Sequence, residues 1–149
     1  GSAVTGKDGS YLRRVPPGFN RRVVVAMPDT DLLRTVEASA VFMTRSKITL
    51  KVSRRRVRSG RRLVFKGRVV LGGEKLSNLG LHVQIMHSGT SLSEVDGYTA
   101  PDGTFTIPLQ VRDYSRPLRF RYVAKVSRAS MWPYVEGVSR PVTVVVVPG

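Results

Sequence analysis

A run of basic residues carries the clearest chemical signal in the sequence. Between Lys47 and Arg68 there are three lysines, seven arginines and no acidic residue, within a chain of formal net charge +15. Clustered positive charge of this kind is typical of surfaces that bind polyanions such as nucleic acid or anionic envelope polymers. The candidate polyanion-binding residues are Lys47, Lys51, Arg54, Arg55, Arg56, Arg58, Arg61, Arg62, Lys66 and Arg68.

The same run has many charges but almost no aromatic side chains on which nucleic-acid bases could stack. Phe65 is its single aromatic residue, and it falls in the apolar set that alternates with the basic residues. Proteins that hold single-stranded nucleic acid stack its bases on aromatic side chains, so the sequence does not favour that mode. The alternative interpretation is that arginine and lysine keep the outer face of a sheet soluble and its edge unpaired.

Residues with catalytic or metal-binding chemistry are few and scattered. His82 and His87 lie five positions apart and would face opposite sides of one strand, so they cannot hold one metal by themselves. Asp29 and Asp31 resemble part of a calcium loop, but the other oxygen ligands and the closing glutamate are missing. The chain has no cysteine, which excludes disulfides, thiolate metal sites and cysteine nucleophiles. We therefore predict a protein with no catalytic residues, no metal site and no cofactor.

The single tryptophan of the chain lies in a short segment between the last two predicted strands, with Met131, Trp132 and Tyr134 as its large side chains. Exposed aromatic side chains on a loop can anchor a partner or stack on sugar rings. We predict that this segment contacts a partner or a neighbouring module, with Trp132 and Tyr134 packing against residues 3–46. Direct contact with a ligand is the alternative.

The elements that must position these residues are β-strands. Apolar and polar residues alternate with a period of two over residues 47–70, which predicts two strands joined by an arginine-loaded turn. The predicted strands of this region are 47–53, 62–70, 81–87, 93–99, 103–109, 117–126 and 138–147. Short strands at this spacing, separated by glycine and proline turn signals, predict a complete antiparallel β-sandwich over residues 47–149.

Pairing of the first two strands of the sandwich would divide the basic residues between two places. The residues expected on the outer face of that sheet are Lys47, Lys51, Arg62, Lys66 and Arg68. The residues expected at the end of the same sheet are Arg54, Arg55, Arg56, Arg58 and Arg61.

Residues 1–46 repeat part of this pattern. The motif T-x-x-D-G-x-aromatic occurs at residues 5–11 and again at residues 99–105, and each copy precedes a β-rich run that contains arginine. The predicted strands of this region are a short one that starts at residues 11–12 and is closed by residues 16–18, followed by 22–27 and 35–44, the last in competition with a helix over 32–40. Repetition of this kind argues for an array of modules. We interpret residues 1–46 as the incomplete C-terminal strands of a preceding module, and about three strands alone rarely form a core.

Residues 46–147 resemble the bacterial immunoglobulin-like repeat domains of secreted and cell-surface proteins, especially actinobacterial ones. The resemblance rests on the segments ITLKVS, GRRLVFKGRV, LHVQI, T-x-x-D-G-x-F, RFRYVAKV and W-P-Y-x-x-G-x-S. The cysteines and core tryptophan of antibody domains are absent, so a transthyretin-like or carboxypeptidase-regulatory-like sandwich is a further possibility.

The resemblance implies a non-enzymatic structural module, located outside the cell or on its surface. Its work would be spacing, adhesion or the assembly of fibres, the last by exchange of strands between subunits. The expected partners are neighbouring modules or other copies of the chain, with an anionic polymer as the alternative. No apolar run approaches the roughly 20 residues of a membrane span.

Overall fold

The computed structural model describes residues 2–16, 18–27, 36–75, 77–87, 90–127 and 136–149. The regular secondary structure of these residues consists of β-strands. The strands are β1 (Arg21–Met27), β2 (Val36–Phe42), β3 (Lys47–Val52), β4 (Arg56–Arg58), β5 (Arg62–Leu71), β6 (Glu74–Lys75), β7 (Gly80–His87), β8 (Thr90–Tyr98), β9 (Thr104–Gln110), β10 (Leu118–Val126) and β11 (Val142–Val147). Within the described ranges, no helix has the length and apolar character needed to cross a membrane.

Strands β3 to β11 form two sheets. In the first, here called the β5 sheet, β5 pairs antiparallel with β3, with β9 and with the short β6. The second, here called the β10 sheet, has the order β4-β11-β10-β7-β8, and its one parallel pair joins β4 to β11. In immunoglobulin nomenclature β3, β5 and β9 take the places of strands A, B and E, and β7, β10 and β11 those of C, F and G. The predicted all-β, immunoglobulin-like sandwich is confirmed.

The core between the two sheets is formed by the apolar side chains that alternate along each strand and face inward. Leu63 and Phe65 on β5 and Val144 on β11 are fully buried. The rings of Phe65 and Tyr122 lie 4.9 Å apart between centroids, which joins the two sheets across the core. Burial of one such side chain contributes about 1.5–3 kcal/mol relative to leaving it exposed. Burial also raises the pKa of the Tyr122 phenol well above its ordinary value, with the Glu94 carboxylate as a smaller cause.

The strands predicted from residue 47 onward are present, with shifts at their ends. The largest shift is in β11, which begins at Val142 rather than at the predicted residue 138. Pro141 explains the difference, because proline cannot donate a ladder hydrogen bond. Val138 keeps a single antiparallel bridge to Lys125. The alternation did not predict β4 and β6, which contain three and two residues.

Residues 2–45 contribute a two-stranded ribbon, β1 and β2, paired antiparallel from Arg21 opposite Phe42 to Met27 opposite Val36. The predicted strand that starts at residues 11–12 is wrong, because residues 11–16 form no strand. Leu12 is 97% exposed, and its stretch of chain pairs with no strand among the described residues. The competing helix is wrong over residues 36–40, which belong to β2, and residues 28–35 lie outside the described residues.

Candidate functional site

The outer face of the β5 sheet carries the first group of predicted basic residues. The strand register places Lys51 directly opposite Lys66, and Thr49 opposite Arg68. The five exposed basic residues of this face are Lys47, Lys51, Arg62, Lys66 and Arg68. Their predicted sharing of one face is therefore confirmed, while binding of a polyanion by them stays a prediction.

Positive charge on this face is only partly balanced. Like charges directly opposite each other destabilise a pair of strands, and Lys51 and Lys66 stand in this relation. Arg68 has a carboxylate nearby, with its Nη2 atom 3.9 Å from Oδ2 of Asp102, but both groups are about half exposed and such pairs add little. The hydroxyl and amide of Thr104 hold the pKa of Asp102 below its usual value, and Arg68 contributes less.

The arginine-rich segment between β3 and β5 is not the simple turn that the sequence predicts. Its central residues form β4, which crosses to the β10 sheet and pairs in parallel with β11. Val57 explains the crossing, because it is 3% exposed and belongs to the core. Arg56 and Arg58 flank Val57 and consequently lie at the edge of the β10 sheet. The prediction that they lie at the end of the β5 sheet is wrong; Arg54, Arg55 and Arg61 are exposed beside β4.

The crossing of β4 brings these arginines next to others from a distant part of the sequence. Val145 on β11 pairs with Arg56 on one side and with Arg119 on the other, and Thr143 pairs with Arg121. Strands lie about 4.8 Å apart, so the Cα atoms of Arg56 and Arg119 are separated by roughly 10 Å. We call Arg55, Arg56, Arg58, Arg119 and Arg121 the arginine strip.

A shallow cavity opens beside the arginine strip, where β4 has not yet begun to cover the edge of β11. Its volume is about 480 Å³, and its lining consists of Arg55, Arg119, Pro141, Val142, Thr143 and Val145. Within the described part of the chain, the salt bridges are Arg68–Asp102, His82–Asp96 and Lys125–Glu136, so none of them neutralises a strip arginine. The sequence does not predict that Arg119 and Arg121 lie near Arg54–Arg61, since no local pattern indicates the crossing of β4.

The residues considered for catalysis or metal binding do not assemble in the described structure. His82 is paired through its Nδ1 atom, 2.5 Å from Oδ1 of Asp96 on β8. Over the described ranges, no three His, Asp or Glu side chains come together. The side chain of His87 lies outside the described residues, as do Asp29 and Asp31. The predicted partner-contact residues Met131, Trp132 and Tyr134 also lie outside them.

The repeated sequence motif corresponds to a repeated turn. Oδ1 of Asp8 accepts hydrogen bonds from the amide and the hydroxyl of Ser10, at 3.0 and 2.7 Å. Oδ1 of Asp102 accepts the same pair of bonds from Thr104, at 2.9 and 2.6 Å. In each turn the hydroxyl donor is the main reason that the pKa of the aspartate is below its usual value.

The backbones of the two turns match as well. The amide of Gly6 donates to the carbonyl of Ser10 at 2.7 Å, and that of Ala100 donates to Thr104 at 2.7 Å. The glycine after the aspartate has φ of 79° in the first turn (Gly9) and 76° in the second (Gly103). This left-handed conformation favours glycine, which explains the D-G pair in both copies of the motif.

The connection between β2 and β3 is short and held in place. The amide of Thr44 donates to Oδ1 of Asn20 at 2.5 Å, and its hydroxyl donates to the carbonyl of Gly18. The backbone of Gly18 also lies against the turn after β5, where a Cβ atom on Gly72 would stand 2.9 Å from the Gly18 carbonyl oxygen. At the end of the connection Ser46 is 6% exposed. Residues 43–46 are therefore fixed to both the ribbon side and the sandwich side.

The ribbon itself has apolar residues open to solvent on both faces. No described residue from 2 to 45 is buried. Val24 and Val25, which point to opposite faces of β1, are 50% and 38% exposed, and Val41 on β2 is 65% exposed. A cavity of about 680 Å³ lies between the ribbon and residues 2–15.

The fold and these faces define a class of protein: an immunoglobulin-like β-sandwich preceded by a two-stranded β ribbon. No protein-family model matches the chain, and no curated protein matches it. Among solved structures, the chain is similar to the D0–D1 domain of intimin, with 19% sequence identity and a TM-score of 0.42. The similarity covers 97% of this chain and 76% of that one. The assignment of the fold rests on the strand order of the sandwich itself.

Proposed function

We propose that the chain is part of a tandem array of immunoglobulin-like modules, and that its sandwich is a rigid, non-catalytic spacer in a secreted or cell-surface bacterial protein. The observation that carries the proposal is the turn repeated bond for bond at residues 6–10 and 100–104. Location outside the cell or on its surface, and the actinobacterial type of repeat, rest on the sequence resemblance.

The order of strands after each turn supports duplication of a module. After the second turn the chain forms β9, β10 and β11, and β10 pairs antiparallel with β11. After the first turn it runs through residues 10–16 and then forms β1 and β2, which pair in the same way. In the sandwich, β7 covers the second edge of β10 and β4 covers that of β11. Strands of this kind, from a neighbouring segment or another copy, would complete the ribbon.

The path of the chain through the sandwich favours a linear array. β3 begins opposite the end of β5, with Lys47 paired to Val70. β11 ends beside Ser59, whose amide donates to the carbonyl of Val147 at 2.8 Å, next to the beginning of β5. The chain therefore enters at one end of the sandwich and leaves at the other. At about 3.3 Å per residue, the ten-residue β5 gives the module a length of roughly 33 Å.

The same path means that tension along the array loads the sandwich in shear. β4 and β11 run parallel, so a pull on the two chain ends drives them in opposite directions along their own axes. Their hydrogen bonds, including the one from the Val145 amide to the Arg55 carbonyl at 2.8 Å, then bear the load together rather than one after another. This arrangement suits a spacer that must keep its length under force.

Single-molecule stretching between the chain ends tests the proposal, with two matched core variants. Val57→Ala removes two methyl groups from β4, and Val83→Ala removes the same atoms from β7; both side chains are buried. We expect similar losses of unfolding free energy in urea, because the two truncations are alike. We expect a lower unfolding force for Val57→Ala alone, because β7 lies off the loaded pair. An equal fall in force for both variants, or extension of the wild-type sandwich without a resolved force peak, would count against a load-bearing spacer.

A further inference from the structure

Arg119 and Arg121 of the arginine strip place charge where the fold gives no reason for it. β10 lies between β11 and β7 in the middle of its sheet, so Arg119 and Arg121 protect no open edge. Arg119 and Arg56 pair with the same residue, Val145, from its two sides. None of the salt bridges among the described residues involves a guanidinium group of the strip. Guanidinium groups held close together without counter-charges raise the free energy of the folded state and attract anions.

The cavity beside the strip limits the chemistry of the anion. Arg55, Arg119 and Thr143 line the cavity together with Pro141, Val142 and Val145, so two arginines and one hydroxyl-bearing residue border it. An arginine presents a planar fork of donors that fits a phosphate or a carboxylate. Two forks and a hydroxyl supply more donors than the two oxygens of one carboxylate accept well, which favours a phosphate group.

The shape of the surface limits the size of the ligand. The cavity is open, and basic residues continue beyond it, to Arg121 along β10 and to Arg58 along β4. A lone phosphate would meet only part of this surface, whereas a chain of phosphates would follow it. The side chains that pair across this surface are arginine, threonine and valine, so its described residues offer no aromatic platform for nucleic-acid bases.

We propose that the arginine strip binds a linear phosphate polymer through its phosphate groups, with the Arg55–Arg119–Thr143 cavity as the anchoring position. Arg55, Arg56 and Arg58 of this site are among the predicted polyanion-binding residues, but the site lies on the opposite sheet from the outer face formed by Lys47, Lys51, Arg62, Lys66 and Arg68. It is independent of the spacer function, because it depends on charge at the surface and not on the load path between the chain ends.

Titration of the full chain with long-chain inorganic polyphosphate tests the proposal, by fluorescence anisotropy over a range of salt concentrations. Each phosphate contact on a flexible polyanion contributes about 0.7 to the slope of log affinity against log salt. The double substitution Arg119→Gln with Arg121→Gln should lower that slope by about 1.4, which corresponds to roughly a 25-fold loss of affinity near 0.1 M salt. Arg55→Gln should lower the slope by about half as much.

A charge-matched control separates the strip from general attraction by a basic protein. Lys51→Gln with Lys66→Gln removes the same two charges from the other sheet and should leave the affinity within about twofold, because screening weakens charges beyond about 10 Å. Orthophosphate and polyglutamate are the ligand controls, and both should bind far more weakly than polyphosphate.

Three results would overturn the proposal. One is an equal or larger loss of affinity from the lysine pair than from the arginine pair. Another is binding of polyglutamate as tightly as polyphosphate, and the third is wild-type binding of polyphosphate no tighter than of orthophosphate. Circular dichroism and thermal unfolding of each variant check that the substitutions leave the sandwich folded.

Discussion

Removal of residues 1–45 tests whether the sandwich is an autonomous unit. Eighteen apolar residues are buried in the described structure, and all of them lie between Ile48 and Val146. The described residues of the removed segment contribute contacts at the Gly18–Gly72 approach and at the connection, but no buried side chain. We therefore expect the unfolding free energy to fall by less than about 1 kcal/mol, since each buried side chain that contributes more remains in place. For a domain of about 100 residues this shifts the melting temperature by less than about 8 °C.

The assay is urea and thermal unfolding of both lengths, followed by circular dichroism, with Phe65→Ala as an internal standard. Phe65 is fully buried in the sandwich core, so its truncation should cost about 3–5 kcal/mol in either length. The effects of changes at distant sites on the unfolding free energy add within about 0.5 kcal/mol. The loss caused by Phe65→Ala should therefore be the same in the full and the shortened chain to that margin. A loss above about 3 kcal/mol on removing residues 1–45, or a non-additive Phe65→Ala effect, would refute the autonomy of the sandwich.

Three further outcomes follow from particular contacts. Gly67→Ala should lower the unfolding free energy by about 3 kcal/mol, because its new Cβ would collide with the Thr49 carbonyl oxygen and stand 2.5 Å from the Phe105 ring. Gly97→Ala would meet side-chain atoms of the buried Ile107 and no backbone atom, so it should cost less, about 1–2 kcal/mol; equal losses in urea would contradict the backbone clash. The melting temperature should fall as pH rises above about 10, because the native state keeps the Tyr122 proton that the unfolded state releases. Tyr122→Phe should flatten that fall, and an unchanged pH profile would rule out this cause. The full chain should self-associate through its exposed ribbon in sedimentation velocity, and Val24→Lys with Val41→Lys should reduce the association; a compact wild-type monomer at high concentration would exclude strand complementation between copies.

The sequence was most informative where one face of a strand is buried. Alternation in β3 and β5 predicts both the pairing and the outer face, because a shift of one residue would turn Phe65 and Val69 toward water. The repeated motif likewise predicts the two turns, because each D-G pair sets its own hydrogen bonds locally. These features depend on neighbouring residues or on a repeating period, and both can be recognised in a single amino-acid sequence.

Features that depend on contacts distant in sequence were not predictable. The segment 54–58 reads RRRVR, and a single valine among four arginines gives no period from which to infer a strand. Val57 enters the core because β11 offers it a partner in Val146, nearly ninety positions later. The predicted strand at 11–12 fails for the opposite reason, since its local pattern is suitable and the described chain supplies no partner.

The basic charge has two interpretations, polyanion binding and protection of a sheet edge. Because β4 crosses to the β10 sheet, only some of the arginines can distinguish between them. Arg56 and Arg58 border the open edge of the β10 sheet, and charge at an edge is accounted for by the need to prevent unwanted pairing. Binding data on these two residues alone would therefore leave the interpretation open. Arg119 and Arg121 stand on a central strand whose two neighbours, β7 and β11, already satisfy its backbone. Edge protection gives no reason for guanidinium groups there, so a loss of phosphate-polymer binding on replacing this pair would point to recognition rather than to solubility.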